Sequence, residues 1–366
     1  MEPYRFLISG GGTGGHIFPA VSIANALKER YPDCQILFVG AEGRMEMERV
    51  PKAGYEIKGL PVQGFYRTHM WRNIGVAFNN LRGLIRARNI VKTFRPHVAI
   101  GVGGYASGAA MKAAALQHVP LLLQEQNGFA GVTNKMLAND ASTICVAYEN
   151  MERFFPKEKL VMTGNPVRQN LQSGTATEAY AHFHLYDNKK TLLVIGGSLG
   201  AKTINDSILT HLDKIASDND IQLLWQTGKG YIDAIRKATA DKTLPNVIIT
   251  DFIDRMDLAY AMADVVVSRA GASSISELCL LGKAAILVPS PNVAEDHQTH
   301  NAVALVDHDA ALMVRDADAI DTLADIAIQL LHNHTRQHTL QQNIVKLAQR
   351  NSASRIADEV EKLLKK

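Results

Sequence analysis

The sequence predicts two α/β domains, each built around a parallel, doubly wound sheet. Short apolar runs that alternate little recur along the chain, as expected for strands that are covered on both faces. Each half of the chain also opens with such a run, followed by a glycine-rich turn and an amphipathic segment, at 4–27 and again at 191–215. This repeated pattern predicts two similar halves that face each other across a cleft.

Length and composition fit this prediction. The 366 residues are enough for two ordinary domains, and 46% hydrophobic with 20% charged residues is typical of a soluble globular protein. No apolar run approaches the ~20 residues that cross a bilayer, and the first residues lack the basic region of a signal peptide. Cys34, Cys145 and Cys279 have no paired spacing, which favours a reducing compartment and argues against a structural metal. We therefore expect a cytoplasmic location.

The net charge of +3 conceals an uneven distribution. Residues 1–163 contain 19 Lys and Arg against 12 Asp and Glu, whereas the rest of the chain contains 20 against 24. No acidic residue occurs between Glu56 and Glu125, although nine basic residues do. This stretch predicts an anion-facing surface.

The segment 9–19, SGGGTGGHIFP, is the first strand-to-helix turn. Its glycines allow positive φ and close backbone approach, so N–H groups at the start of the helix can face an anion or a sugar. The spacing matches neither the GxxxxGK[ST] phosphate loop nor a clean GxGxxG turn, and tight packing of helix on strand also explains the glycines. His16 lies at the mouth of the turn, either as a catalytic group or as a capping or buried hydrogen-bonded histidine.

Apolar runs predict seven strands in the first half, with helices at 42–50, 74–94 and 109–117. The strands are predicted at 4–8, 35–39, 55–60, 98–102, 120–123, 143–146 and 160–162. Polar loops follow three of them, at 9–16, 103–108 and 124–131. Because ligands bind beyond the carboxyl ends of strands in open α/β sheets, we expect these loops to converge on one crevice.

Residues 65–95 combine basic side chains with aromatic and aliphatic ones, including Phe65, Trp71 and Phe78. Such a segment suits an anionic membrane surface, with the rings at the interface and the cations at the headgroups. An ordinary surface helix with one buried stripe explains the same pattern, and the sequence leaves both open.

The second half repeats the design after a segment at 164–168 that contains Gly and Pro, where the charge balance changes sign. Strands are predicted at 191–195, 221–226, 247–250, 264–268 and 284–289, alternating with helices that include 204–215 and 275–281. Residues from 319 to the end are predicted to be helical. We expect domains at 1–163 and 164–345, with 346–366 packing back on the first domain.

Eight motifs along almost the whole chain add a more specific signal. They are GGTGGHIFPA at 11–20, GVGGYASG at 101–108, QEQNGFAGVTNK at 124–135, TGNPVR at 163–168, GGSLGAKTIN at 196–205, DFIDRM at 251–256, SRAGASSISEL at 268–278 and DHQTHNA at 296–302. In this order and spacing they resemble glycosyltransferase family 28, in the group that completes the lipid-linked precursor of peptidoglycan. The resemblance implies the GT-B fold of two Rossmann-like domains, with the lipid-linked acceptor on the first and the UDP-sugar mainly on the second.

The resemblance also implies substrate contacts. Those to the donor sugar would come from Thr13, Gly14, Gly15, Asn127 and Gln298. Those to the donor diphosphate would come from Arg168, Ser198 and the helix start Ala272, Ser273, Ser274, Ile275 and Ser276. Ile253 would set its backbone against uracil, and Glu277 would accept ribose hydroxyls. Two positions depart from some relatives, Gln124 in place of His and His297 in place of Gln, and both concern sugar contacts.

The implied reaction moves N-acetylglucosamine from UDP-GlcNAc to the C4 hydroxyl of the muramoyl sugar in undecaprenyl-linked lipid I, with inversion, to give lipid II. His16 is the predicted base and Glu125 the alternative. Gly104 and Tyr105 would bind the acceptor diphosphate. No cofactor, metal or nucleic acid is expected, since no acidic pair at a strand end suits Mg²⁺. We expect peripheral attachment to the cytoplasmic face of the cell membrane and contact with other cell-wall synthesis proteins.

Two other functions remain open on this evidence. One is a different UDP-sugar enzyme of the same fold, either a lipid glycosyltransferase or a UDP-GlcNAc 2-epimerase. The other is a UDP-sugar-binding protein without turnover. Identification of the acceptor and of the product separates the three.

Overall fold

The computed structural model describes residues 2–64, 73–167, 169–293 and 296–365. The chain divides into two compact units, Met1–Arg168 with Arg350–Lys366 and Gln169–Gln349. Each unit is built on one parallel sheet with helices between the strands, so the predicted fold class is confirmed. Arg168 and the 65–72 part of the basic segment lie outside the described residues.

The first unit contains a seven-stranded sheet in the order β3-β2-β1-β4-β5-β6-β7. Its strands are β1 Arg5–Gly10, β2 Gln35–Ala41, β3 Glu56–Leu60, β4 Val98–Gly103, β5 Leu121–Glu125, β6 Thr143–Val146 and β7 Leu160–Met162. Its helices are α1 Gly14–Arg30, α2 Glu46–Lys52, α3 Asn73–Phe94, α4 Tyr105–Ala115, α5 Val132–Leu137 and, from the end of the chain, α15 Ser352–Leu364.

The second unit contains a six-stranded sheet in the order β10-β9-β8-β11-β12-β13. Its strands are β8 Lys190–Ile195, β9 Ile221–Gln226, β10 Val247–Thr250, β11 Val265–Ser268, β12 Ala284–Leu287 and β13 Leu312–Met313. Its helices are α6 Ala176–Phe183, α7 Lys202–Thr210, α8 Leu212–Ala216, α9 Ile232–Ala238, α10 Met256–Met262, α11 Ala272–Leu281, α12 His297–Val306, α13 Ala319–His332 and α14 His334–Ile344.

The two sheets share one topology. In each, the first strand of the unit pairs in parallel with the second and with the fourth, so the strand order reverses beside the first strand. Neighbouring connections leave in opposite directions at such a switch point and open a crevice at the carboxyl ends of the strands. The glycine-rich turns after β1 and β4, and after β8 and β11, are therefore brought side by side.

The C-terminal helix α15 belongs to the first unit. Its apolar stripe, Ile356, Ala357, Val360 and Leu363, is buried in the same core as α1 and the central strands. Around this stripe, Arg30 of α1 pairs with Asp358 at 2.6 Å and with Glu361 at 3.2 Å. Because exposed ion pairs contribute little, the buried apolar contacts carry most of the stabilisation.

The boundaries differ from the predicted ones where local geometry rather than hydrophobicity sets them. α4 begins at Tyr105, four residues earlier than predicted, because Gly104 caps it with a φ of 93°. The predicted helix 204–215 is interrupted at His211, where α7 ends and α8 begins. The two-residue strand β13 was not predicted, since a pair of residues carries no periodicity.

We expect Ile356→Ala to lower the free energy of unfolding of the first unit by about 2–5 kcal/mol, because the side chain is fully buried and its removal leaves a cavity. Urea unfolding followed by circular dichroism measures this change. The matched control is Ile85→Ala in the same unit, where the side chain is 56% exposed and the change should stay within about 0.5 kcal/mol. Equal effects of the two substitutions would contradict this account of α15.

Candidate active site

At the switch point of the first sheet, two glycine turns meet backbone to backbone. Gly10 pairs with Gly103, and the N–H of Gly11 donates to the carbonyl oxygen of Gly103 over 3.3 Å. Gly104 has a φ of 93°, and a Cβ there would lie 2.5 Å from the carbonyl oxygen of Gly11. Only glycine permits both the conformation and the approach. The predicted convergence of the loops 9–16 and 103–108 is therefore seen.

His16 lies in the first turn of α1, and its ring is oriented by the turn that precedes it. Its Nδ1 lies 3.1 Å from the carbonyl oxygen of Gly11 and 3.5 Å from Oγ1 of Thr13. Since a carbonyl oxygen only accepts, the neutral ring carries its proton on Nδ1 and leaves a lone pair on Nε2. The Nε2 edge lies over Gly103, where a Cβ would come within 2.9 Å of this nitrogen.

The surroundings of His16 favour the neutral imidazole. Loss of water around the ring lowers the pKa of His16 below its ordinary value of 6.5. The carboxylates of Glu125 and Glu46 and the bond to Gly11 raise the pKa and offset part of that effect. The ring is therefore an uncharged proton acceptor near neutral pH, and the two carboxylates stabilise the imidazolium that forms when it accepts a proton.

Glu125, the alternative base, is the last residue of β5 and is buried. Its Oε1 accepts from the backbone N–H of Asn127 at 3.2 Å and from the Asn127 amide at 3.4 Å. Its Oε2 accepts from the N–H of Gly131 and the amide of Asn134, both at 2.9 Å. Both oxygens are thus occupied with holding the 125–134 loop, an arrangement that suits positioning better than proton transfer.

A buried amide network, which the sequence did not single out, supports this loop. Gln124 donates to Oδ1 of Asn165 at 3.2 Å, and the Asn165 amide donates to the carbonyl oxygen of Gln126 at 2.9 Å. Gln126 in turn donates to the carbonyl oxygen of Val102 at 2.8 Å and bonds the side-chain oxygen of Gln124. Gln124 therefore has a structural role here, fixing the end of β5 against β4 and the 164–167 segment.

The residues assigned to the acceptor lie on the second glycine turn. Gly104 is the N-cap of α4, whose first turn carries no acidic side chain. Tyr105 is the first residue of that helix, with 59% of its side chain exposed and its ring against Gly64. A helix N-terminus beside an exposed phenol suits an anion that arrives from solvent.

In the second unit, a similar backbone contact joins the turns that follow its first two strands, β8 and β9. Gly200 has a φ of 80°, and a Cβ there would lie 1.9 Å from the carbonyl oxygen of Thr227. Gly228 has a φ of 89°, and a Cβ there would lie 2.2 Å from the carbonyl oxygen of Leu199. The turn that carries Ser198 is thereby pressed against the loop after β9, and Gly197 faces open space.

Beside it, α11 begins with the residues assigned to the donor phosphates. Its first turn is free of acidic residues, its N-cap is Gly271, and Ser273 and Ser274 are half-buried within it. Glu277 follows in the second turn, buried, with its Oε2 accepting from the Tyr260 hydroxyl at 3.1 Å. A positive helix end followed by an oriented carboxylate suits a phosphate next to a ribose diol.

Two further residues, which the resemblance assigns to the UDP-sugar, lie against neighbouring backbone. Gln298, near the start of α12, accepts from the N–H of Ser290 at 2.9 Å. Ile253 is buried in the loop after β10, where Thr250 donates to the adjacent Phe252 carbonyl oxygen at 3.0 Å. These residues, Ser198, Glu277 and the start of α11 all belong to the second unit, whereas Thr13, Gly14, Gly15 and Asn127 belong to the first.

The sequence also missed the ion pair that shapes the loop before α11. Arg269 pairs with Asp316 and donates to the carbonyl oxygens of Val288 and Pro289 at 3.1 and 3.2 Å. The other oxygen of Asp316 accepts from Thr203 of α7 at 2.9 Å. The sequence gives little indication of this ion pair, because 47 residues separate Arg269 from Asp316. Among the described residues, no group of three or more His, Cys, Asp or Glu is placed to hold a metal ion.

We expect the imidazole of His16 to titrate below pH 6.5, because burial opposes its charged form more strongly than the nearby carboxylates favour it. A ¹H–¹⁵N NMR titration of the histidine rings measures this, with His16→Gln to assign the signal. The same spectra report the tautomer, which should carry the proton on Nδ1. A pKa above 6.5, or a proton on Nε2, would contradict the described environment.

Comparison with known proteins places the chain in a family. The model of the glycosyltransferase family 28 N-terminal domain matches residues 6–146, and that of the C-terminal domain matches residues 191–360. A protein of Parabacteroides distasonis is 58% identical over the full length of both chains. One of Bacteroides thetaiotaomicron is 57% identical over 98% of this chain and 97% of its own. Both are named UDP-N-acetylglucosamine–N-acetylmuramyl-(pentapeptide) pyrophosphoryl-undecaprenol N-acetylglucosamine transferase.

Solved structures agree with this result. The crystal structure of Acinetobacter baumannii MurG is similar with a TM-score of 0.73 at 28% identity, over 98% of this chain and all of that one. The UDP-GlcNAc 2-epimerase of Neisseria meningitidis bound to UDP-GlcNAc has a TM-score of 0.70 at 14% identity, covering 98% of this chain and all of that one, which shows a shared fold alone. With both family models matched and relatives this similar over the whole length, the chain belongs to glycosyltransferase family 28.

Proposed function

We propose that this chain transfers N-acetylglucosamine from UDP-GlcNAc to the C4 hydroxyl of the muramoyl sugar in undecaprenyl-linked lipid I, forming lipid II. The observation that carries the proposal is His16, a neutral imidazole with its proton on Nδ1 at the switch point of the first sheet. Relatives at 53–58% identity that carry the name of this transferase support the choice of substrates. The epimerase likeness rests on the fold alone and does not favour epimerisation.

In the proposed reaction, the C4 hydroxyl of the acceptor gives its proton to Nε2 of His16. The hydroxyl oxygen attacks the anomeric carbon from the face opposite UDP, a new glycosidic bond forms, and the bond from the anomeric carbon to the UDP oxygen breaks with inversion. His16 then carries a positive charge, which Glu125 and Glu46 stabilise. Glu125 acts as a positioning residue in this scheme, because four N–H groups already engage its oxygens.

The second unit would bind the donor. The start of α11 and the Ser198 turn would receive the diphosphate and stabilise the charge that grows on it as UDP leaves, together with Arg168. Glu277, oriented by Tyr260, would accept the ribose hydroxyls. Gln298 would donate its amide to the sugar hydroxyls, and the backbone at Ile253 would face uracil. Thr13, Gly14, Gly15 and Asn127 of the first unit would complete the sugar contacts.

The first unit would bind the acceptor and the membrane. Gly104 and Tyr105 would hold the acceptor diphosphate at the start of α4.

On α3, the apolar side chains Phe78, Leu81 and Ile85 are more than half exposed, beside Arg82 and Arg86. Each basic residue near an anionic surface contributes about 1 kcal/mol, and the apolar side chains would insert among the headgroups. We propose a peripheral position on the cytoplasmic face of the membrane, near other cell-wall synthesis proteins. None of the described helices is long and apolar enough to span a bilayer.

We expect His16→Ala to reduce transfer of labelled N-acetylglucosamine to a short-chain lipid I analogue by about 10²-fold or more, because the base is lost. Binding of UDP, measured by calorimetry, should persist, since the proposed UDP contacts lie in the second unit and at Arg168 and none of them involves His16. His338→Ala, which removes an exposed histidine of α14, serves as the control and should transfer at the wild-type rate. Transfer that survives in His16→Ala would move the base role elsewhere. If the wild type binds UDP-GlcNAc but transfers no sugar, the proposal that lipid I is the acceptor is wrong.

We expect the triple substitution Phe78→Ser, Leu81→Ser and Ile85→Ser to weaken binding to vesicles that contain anionic phospholipid by at least about tenfold, since it removes the exposed apolar face of α3. Cosedimentation with vesicles measures the binding. Ile320→Ser, at a partly exposed apolar position in the second unit, should bind as the wild type does. Wild-type vesicle binding by the triple variant would show that α3 is an ordinary surface helix.

A further inference from the structure

We propose that Glu46 is a positioning residue for the transfer reaction, acting on His16 through the single peptide group that joins Gly11 to Gly12. This inference rests on the proposed role of His16 as the base. Glu46 lies in none of the eight motifs, and nothing in its sequence surroundings, RMEME, distinguishes it from Glu48, the exposed acid of the same helix. The three-dimensional contacts single it out.

The first step is the position of the carboxylate. Glu46 is the first residue of α2, and its side chain is fully buried. Its Oε1 accepts from the backbone N–H of Ala41, at the end of β2, over 3.0 Å. Its Oε2 accepts from the backbone N–H of Gly12 over 2.9 Å. A buried carboxylate requires such donors, and bonds of this charge-assisted kind are among the stronger ones in proteins.

The second step is the space that the chain leaves for this side chain. A Cβ on Gly11 would lie 2.2 Å from Oε1 of Glu46, and a Cβ on Gly40 would lie 2.6 Å from its Cγ. A side chain at either position would displace Glu46 from its present place. The glycines at 11 and 40 therefore make room for Glu46, a requirement separate from any ligand at the turn.

The third step joins Glu46 to His16. The N–H that Glu46 accepts from and the carbonyl oxygen that receives Nδ1 of His16, at 3.1 Å, belong to the same peptide group. A carboxylate on the N–H polarises the peptide and strengthens its carbonyl oxygen as an acceptor. Hydrogen bonds thus link the Glu46 carboxylate to the peptide group and the peptide group to the imidazole of His16. This chain of bonds holds the ring in one tautomer and stabilises its charged form once Nε2 has taken a proton. A carboxylate bonded directly to Nδ1 has the same effect in hydrolase triads.

The charges around His16 distinguish a positioning role of Glu46 from a purely structural one, because only the former predicts a change in the pKa of His16. Glu46 on α2 and Glu125 at the end of β5 are the charged groups that act on its ring, and both raise the pKa of His16. Glu46→Gln removes one negative charge with little change of shape. The pKa of His16 should then fall, so the acid limb of kcat/KM, where the base becomes protonated, should move to lower pH.

The experiment compares Glu46→Gln, Glu46→Asp and Glu48→Gln, in the full-length protein with UDP-GlcNAc and a short-chain lipid I analogue. Glu48 lies on the same helix with 63% of its side chain exposed, so its variant should keep the wild-type kcat and pH profile. Glu46→Gln should lower kcat by about tenfold or more, through misplacement of the turn, and shift the acid limb to lower pH. The His16 signal in the NMR titration should move in the same direction.

Glu46→Asp keeps the charge but loses the reach to both N–H groups. It should lower kcat while leaving the acid limb near that of the wild type, and it remains a test if Glu46→Gln fails to fold. Wild-type kcat in either folded variant would overturn the proposal. So would a loss of kcat in Glu46→Gln with neither the acid limb nor the His16 signal moved, because that pattern indicates a structural role only. If the wild type itself shows no transfer, the proposed function fails, and the NMR titration still decides whether Glu46 acts on His16.

Discussion

The close contact of two backbone turns at the end of β1 and β4 is the constraint on which the candidate site depends. Gly11 and Gly104 approach to a distance that leaves no room for a side chain between them. Parallel pairing of the first and fourth strands creates this proximity, and glycine alone tolerates it. This contact also fixes the position of the His16 ring, which packs over Gly103. In the second unit, backbone also meets backbone at Gly200 and Gly228, between the turns that follow β8 and β9.

Electrostatics decides what this geometry can do. Water is removed from the His16 ring, which lowers its pKa, while two buried carboxylates raise it. Together, these opposing effects keep the imidazole of His16 uncharged near neutral pH, while the carboxylates still stabilise its protonated form. General base catalysis near neutral pH needs both properties. Neither carboxylate is available to compete for the proton, because backbone and amide N–H groups occupy both oxygens of each. In the proposed mechanism, the group that accepts the proton is thus distinct from the groups that stabilise the resulting charge.

The proposed donor site of the second unit relies on different means. α11 presents an end without acidic side chains, and the first carboxylate, Glu277, appears one turn later, oriented by Tyr260. The Arg269 and Asp316 pair holds the preceding loop and gives that arginine a structural partner. At the proposed donor site, backbone N–H groups and the helix dipole would therefore supply a positive field beside Arg168, and this field needs no reorganisation when charge develops on a leaving phosphate.

The sequence by itself determined the fold class, nearly all the strands, and the turns that carry His16, Ser198 and Ala272, because apolar periodicity and glycine clusters are local signals. Its motifs also indicated the family. Only the tertiary structure decided the tautomer of His16, the engagement of both oxygens of Glu125, the amide network of Gln124, Gln126 and Asn165, and the burial of Glu46. The bonds of Glu46 to Gly12, Gln124 to Asn165 and Gln126 to Val102 join residues far apart in the chain. The bonds that orient His16 and Glu125 are short in sequence, but they depend on the exact conformation of a turn, which apolar periodicity does not report. A carboxylate at position 46 has the same local sequence whether it faces water or the peptide that orients the His16 ring.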